Sequence, residues 1–272
     1  MSAPLYAVQH IRRMRGGSQA HLMRASDGAF YVLKFQNSPQ GCRILANEMF
    51  ATSLGLWLGL PMTQPATIEV CDWLIDNTQE LRIVLPNREV RCSSGLQFGS
   101  RYPCDLLSES REIHDYLPES FMGSINQSLA FARVLVLDKW LANVDGRQAI
   151  FIRKKRSDPF NAVFIDQGYC LNALEWTFQD LTLHGVYYRN SVYKNVMGWD
   201  AFEPTLTKAE QADINDIWRC ANSIAPEWYD HDIPALEKMV QAVHARRGKI
   251  RSLIDAFRQS TRMPFPNWKG NP

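Results

Sequence analysis

Short alternating runs of apolar residues fill the first hundred positions, and longer runs at helical spacing fill most of the rest. Leu5 to Ile11 alternates as a strand does, Arg12-Arg-Met-Arg-Gly-Gly-Ser18 interrupts it, and Gln19 to Ala25 resumes as a second strand. Asp27-Gly28 is a two-residue hairpin signal, after which Phe30-Tyr-Val-Leu-Lys-Phe35 predicts a third strand. Ser38-Pro39 reads as the N-cap and first residue of a helix that runs to Gly59, with Pro61 as a stop. Leu45, Met49, Thr52 and Leu56 form its apolar stripe, and Glu48 stands beside that stripe.

Further on, Ala66 to Val70 and Leu81 to Leu85 predict strands, Asp72 to Asn77 a helical turn, and Asn87 to Gly95 a polar loop. Leu96 to Tyr102, closed by Pro103, is either an edge strand with its turn or the crossing from a strand-rich to a helix-rich half. Ser124-x-x-Gln127 is a capping-box pattern opening a buried helix through Ile125, Leu129, Ala132, Val136 and Trp140, apolar nearly all round. Asp138 and Lys139 interrupt that helix near its end, where structural pairing is the expected role. Two strands follow, Ala149 to Ile152 and Ala162 to Ile165. Leu171 to Tyr188 is aromatic and irregular, Thr207 to Ala221 predicts an amphipathic helix, and a last helix runs from Pro234 to about Ser260. Its apolar stripe is Leu236, Val240, Val243, Ile250, Ile254 and Phe257. The opposite face is basic (His244, Arg246, Arg247, Lys249, Arg251), which reads as a solvated face before it reads as a site for nucleic acid or an acidic partner.

Composition narrows the picture. With 46% hydrophobic residues in 272, the chain can bury a substantial core. A net charge of +2 gives no electrostatic case for nucleic acid or an anionic membrane. The six cysteines lie far apart without a Cys-x-x-Cys pair, which disfavours a zinc site. No apolar run reaches the roughly 18 residues of a membrane span, and Met1-Ser-Ala-Pro-Leu-Tyr lacks the apolar core of a signal peptide, so the expectation is a cytoplasmic protein.

The candidate chemistry is concentrated between Ser124 and Gly168. A buried helix leads into Asn143-Val-Asp-Gly-Arg-Gln148, a hairpin follows, and Asp166-Gln-Gly168 sits at the end of its second strand. Asp145 and Asp166, held on rigid elements, are what magnesium-dependent phosphoryl transfer requires: one accepts the proton of the attacking hydroxyl, the other holds the metal. Lys34, inside an apolar strand, must either snorkel to solvent or meet a partner, and Glu48 is the candidate partner. Gly16-Gly17-Ser18 is an ordinary hairpin turn or a phosphate cover; no Gly-x-Gly-x-x-Gly decides between them.

Taken together, Gly16-Gly-Ser18, Tyr31-Val-Leu-Lys-Phe35, Gly59-Leu-Pro61, Phe98-Gly-Ser-Arg101, Asn143-Val-Asp-Gly-Arg-Gln148 and Ile165-Asp-Gln-Gly168 resemble the HipA-like kinases over roughly residues 5–170. That resemblance implies an α+β, two-lobed protein-kinase-like fold, with a strand-rich lobe over 1–102 and a helical lobe over 103–272. It implies ATP and Mg2+ as nucleotide and cofactor, and a protein serine or threonine as acceptor. Gly16, Gly17 and Ser18 would cover the phosphates, Lys34 with Glu48 would hold them, and Phe98, Gly99 and Ser100 would lie near the adenine. Asp145 would be the catalytic base and Asp166 a metal ligand. Typical kinases carry a metal-binding asparagine five residues after the catalytic aspartate; that position is Ile150 here, which leaves Gln148 as the nearest amide. Asn143-Val144 stands where many kinases have His-Arg. The alternatives are a catalytically weak ATP-binding regulatory module, or a kinase of a small metabolite or lipid head group.

Overall fold

A computed structural model describes residues 5–104, 106, 111–126 and 128–269. Its first half is a small barrel. Strands β1 (Leu5–Arg13), β2 (His21–Ala25), β3 (Phe30–Lys34), β4 (Pro65–Val70) and β7 (Gly95–Arg101) close in the order β1-β2-β3-β7-β4, the last seam being parallel through Leu5 and Ile68. A side hairpin of β5 (Arg82–Leu85) and β6 (Arg88–Arg91) and a short helix α2 (Asp72–Asp76) lie between β4 and β7. The Arg88–Arg91 strand falls where the sequence predicts a loop: Arg-Glu-Val-Arg has no apolar alternation, and pairing with Arg82–Leu85 supplies the order instead.

Turn chemistry explains the local shape. Ala25 N–H donates to the Ala29 carbonyl at 2.9 Å, so the β2–β3 connection is a three-residue loop with Gly28 at φ +82°, not the predicted two-residue turn. Helix α1 (Arg43–Trp57) starts four residues after the expected proline. Gly41 is left-handed at φ +91° and breaks the run, and the Ser38 hydroxyl donates to the Ser18 carbonyl instead of capping the helix. Its C-terminus is as expected: Gly59 at φ +82°, with Gly59 N–H to Leu56 and Leu60 N–H to Gly55, satisfies the last carbonyls.

The stripe predicted for α1 is too narrow. Ile44 through Thr52 is buried without interruption, because the helix is sandwiched between the barrel and the helical half. That half is built around α4 (Ala130–Trp140), after a three-residue strand β8 (Glu112–His114) and a helical turn α3 (Glu119–Met122). The buried helix begins at Ala130, not Ser124; the Ser124 hydroxyl donates to the Phe121 carbonyl, and Gln127 of the expected capping box lies outside the described residues. Strands β9 (Gln148–Arg153) and β10 (Asn161–Ile165) join β8 in a three-stranded antiparallel sheet.

The C-terminal helices are more broken than the pattern predicts. The first separates into α5 (Thr205–Glu210) and α6 (Ile214–Ala221), the second opening on an Asp213 capping box. The last separates into α7 (Ile233–Arg246) and α8 (Ile250–Arg258) across a 3-10 turn at Gly248. All six residues of its predicted stripe are buried. The basic face is largely absorbed by the fold. Arg246 donates to the Trp140 carbonyl and Asp180, Arg247 to the Ala212 carbonyl, and Arg251 to Glu210. Trp140 is fully buried and donates to the Val243 carbonyl, so α4 and α7 are joined by both packing and a satisfied polar atom. Among the described residues no helix is long and apolar enough to cross a membrane.

Candidate active site

Strand register places the first side chains. Val32 pairs with Ser100 and Lys34 with Phe98 across β3 and β7. Because side chains alternate, these four face one way, into a cleft beneath the barrel, while Tyr31 and Leu33 face the barrel interior. Gly99 turns inward with them: a Cβ there would meet Ile68 at 2.6 Å, and its strand is paired on both edges. Phe98 and Ser100 therefore line the cleft and Gly99 does not. Gly95–Arg101 is thus a central strand and not an edge, and just past its end the Tyr102 N–H still donates to the Phe30 carbonyl.

The cleft is two adjoining cavities. The first, about 500 Å3, has Val32, Phe98, Tyr102, Ile113, Ile150 and Ile165 on its apolar walls, Ser100 among them, and Lys34, Glu48 and Asp166 at its inner end. The second, about 520 Å3, lies between Arg15, Gly16, Gly17, Ser18 and Gln40 above and Val144, Asp145, Gln148, Asp166 and Tyr169 below. Arg15, Ser18, Gln148 and Asp166 line both. Thus Lys34, Glu48, Asp145, Gln148, Asp166, the glycine turn, Phe98 and Ser100, scattered along the sequence, border one continuous space.

At its centre Lys34 Nζ donates to Glu48 Oε1 at 2.5 Å and to Asp166 Oδ1 at 2.7 Å. Of the two open readings of Lys34, the buried pair is the one realised; the lysine is only 8% exposed. Burial opposes its charge, but the Glu48 and Asp166 carboxylates outweigh that and hold the ammonium above its ordinary pKa. Glu48 is raised by burial, against the pull of Lys34 and of the Gln167 N–H that donates to its Oε2 at 2.9 Å. Asp166, despite burial, is lowered by Lys34 and by the more distant Arg147. One ammonium between two carboxylates leaves the trio one negative charge in excess.

Asp166 sits at φ +63°, a left-handed conformation that a non-glycine residue adopts only when its surroundings hold it there. Those surroundings are visible. Asn47, beside Glu48 on α1, donates to the carbonyls of Gly168, Cys170 and Ala173, and accepts from Trp176 Nε1. Gly168 packs so closely that a Cβ would lie 2.5 Å from Ile44, which is why glycine follows the aspartate at this distance.

The loop carrying Asp145 is fixed by its own short bonds. Asn143 donates to Asp138 at 2.8 Å and accepts the Asp145 N–H at 3.1 Å; Val144 N–H reaches the Tyr169 carbonyl, and Gly185 N–H the Asp145 carbonyl. Asp145 itself is exposed to the cavity, with Oδ1 accepting from Gly146 N–H. Arg147 has a role that the sequence does not announce. Its guanidinium forms a buried fork with Asp138 and also donates to the Ile165 carbonyl at 3.0 Å and Gln167 Oε1 at 2.7 Å. It thereby ties the Asp145 loop to the strand that ends at Asp166. The pairing expected of Asp138 is this one, whereas Lys139 pairs with carbonyls, those of Thr182 and His184. Asp115 and Thr63 also line the first cavity and carry no sequence signal beyond their polarity.

The sequence matches the family model of HipA-like kinases over residues 8–259. The chain belongs to the HipA-like kinases. This HipA-like kinase is, by family, a phosphotransferase. No curated protein matches it by sequence. Among solved structures, the Golgi casein kinase with Mn/ADP bound is similar with a TM-score of 0.52 at 12% identity, covering 95% of this chain and 73% of that one. The hydra Fam20 structure with sugar is similar at 0.57 and 8% identity, covering 96% and 88%. At such identities the likeness concerns the fold, and it agrees with the two-lobed α+β architecture described above.

Proposed function

We propose that this HipA-like kinase transfers the terminal phosphoryl group of ATP, with Mg2+, to a serine or threonine hydroxyl of a protein. The observation that carries the reading is the meeting of Lys34, Glu48 and Asp166 at the junction of two cavities that Asp145 and the glycine turn also border. In this reading the lobes run over 1–102 and 103–272, and the apolar walls of the first cavity take the base. The turn at Gly16-Gly17 offers backbone N–H groups to the phosphates, since no Cβ blocks the approach. Lys34, oriented by Glu48, neutralises phosphate oxygens.

The donor set suits a hard divalent cation. Asp166 offers a carboxylate, and the Gln148 side-chain amide has no hydrogen-bond partner among the described residues. No group of three or more His, Cys, Asp or Glu residues forms an all-protein cage among the described residues, which fits an ion held by one carboxylate, an amide oxygen and the nucleotide itself. Such an ion would supply charge neutralisation at the bridging phosphate oxygens. The Mn/ADP reported for the Golgi casein kinase supports a nucleotide and a divalent ion here too.

Asp145 accepts the proton of the attacking hydroxyl. The hydroxyl oxygen forms the new bond to the terminal phosphorus, the bond from that phosphorus to the bridging oxygen breaks, and ADP leaves with the electron pair. Asp145→Ala should lower transfer from labelled ATP to a protein acceptor by about a hundred- to ten-thousand-fold while calorimetry shows ATP still bound. Full transfer by that variant removes Asp145 from the mechanism. Gln148 in place of the usual asparagine favours a second reading, a binding module with little turnover, which binding without any transfer by the unaltered protein would establish.

A further inference from the structure

The cleft holds a charge that the proposed roles leave unused. Arg15 lies in the turn between β1 and β2, next to Gly16, which sits at φ +120°. It borders both cavities, facing Asp145, Gln148 and Asp166 across the second. Among the described residues no carboxylate pairs with it and no hydrogen bond holds its guanidinium, unlike Arg13 before it, which is held by Gln19. Lys34, at the inner end of the first cavity, is already shared between two carboxylates. Of the residues lining the second cavity, Arg15 is the sole cation against the carboxylates of Asp145 and Asp166. A polyanion entering that space meets negative charge from below, so its outermost phosphate needs a cation from above.

The turn that carries Arg15 is braced from outside. Met14 N–H donates to the Ala20 carbonyl at 2.8 Å, and Gln19 N–H to the Gly16 carbonyl at 3.2 Å. The Gln19 side chain donates to the Val84 carbonyl and accepts the Val84 N–H, which anchors the turn to β5, while Ser38 Oγ donates to the Ser18 carbonyl. A braced turn with one free guanidinium at its tip can present that group without ordering the backbone first. Arginine suits the task, because its planar donors match phosphate oxygens in pairs.

We propose that Arg15 contacts the terminal phosphate of the nucleotide and makes the site prefer a triphosphate over a diphosphate. The proposal rests on the kinase reading and deepens it. Arg12 and Arg101 also border the first cavity but not the second, which is why the role falls to Arg15.

Calorimetry of the full chain with ATP, ADP and adenosine, each with magnesium, tests this on the unaltered protein, Arg15→Gln, Arg15→Lys and, as a charge control on the side hairpin, Arg88→Gln. Arg15→Gln should weaken ATP by about tenfold or more, the scale of one lost charge-assisted contact. It should weaken ADP far less and leave adenosine unchanged; Arg15→Lys should recover most of the ATP affinity. The loss should shrink as salt is raised, since the group is exposed. The inference is overturned if Arg15→Gln binds ATP as the unaltered protein does, or if it loses ATP and adenosine equally. An unaltered protein that binds none of the three overturns the kinase reading itself, and the inference with it.

Discussion

Two buried charge clusters flank the same cleft, and they differ in how complete they are. Around Arg147, one guanidinium meets one carboxylate, and its remaining donors find the Ile165 carbonyl and the Gln167 amide oxygen. Around Lys34, one ammonium serves two carboxylates, and Asp166 keeps a quarter of its side chain exposed. The first cluster is closed in charge, one against one. The second carries an excess negative charge at the edge of a cavity, so a cation entering beside Asp166 would find an incomplete partner. That contrast separates the residues that hold the site from those proposed to work in it.

Breaking the closed cluster should have the largest effect. Arg147→Leu strands the Asp138 carboxylate at 1% exposure and should cost about 3–5 kcal/mol of stability, read from urea denaturation. Replacing both partners together, Asp138→Leu with Arg147→Met, should recover much of that loss, and failure to recover it would mean that the bonds to Ile165 and Gln167 carry the weight. In the open cluster, Glu48→Gln should cost about 1–3 kcal/mol, less because Asp166 still pairs with Lys34. Asp166→Asn should leave the fold standing but remove the part of the ATP thermal shift that depends on magnesium. An unchanged magnesium-dependent shift would exclude Asp166 as a ligand.

A further effect sits away from the cleft. His21 is buried beside His10, their ring nitrogens 3.0 Å apart, and burial first, then His10 and Arg13, lower its pKa to about 4. Its unfolded value is near 6.5, so the unfolded chain binds the proton first. Stability should therefore fall as pH drops from about 6.5 to 4, and His21→Leu should flatten that slope. A slope unaltered by the substitution would assign the acid sensitivity to other groups.

Why the second cluster was legible in the sequence and the first was not follows from residue type. A lysine inside an apolar strand and a glutamate beside an apolar stripe are conspicuous because burying either alone is costly. Asp145 and Asp166 stand at the ends of recognisable elements. Arg147 looks like any loop arginine until α4 and β10 bring Asp138 and Gln167 to it. Gly99 was misjudged because its facing depends on strand pairing, which alternation alone leaves undetermined between the two sides. The early starts predicted for α1 and α4 trusted serines whose hydroxyls are used by Ser18 and Phe121 instead. The strand at Arg88–Arg91 and the break at Gly248 are decided by neighbours, not by local preference.

Asn47 and Glu48 are adjacent on α1, and both hold the segment that follows Asp166. Glu48 grips Lys34 in the barrel, while the single Asn47 amide holds three carbonyls of the segment following Asp166. Rocking this helix outward would tear out all of these at once, at a position with no water to replace them. The helix and the segment after Asp166 are therefore fastened together, and a movement that parted them would have to break all of these bonds.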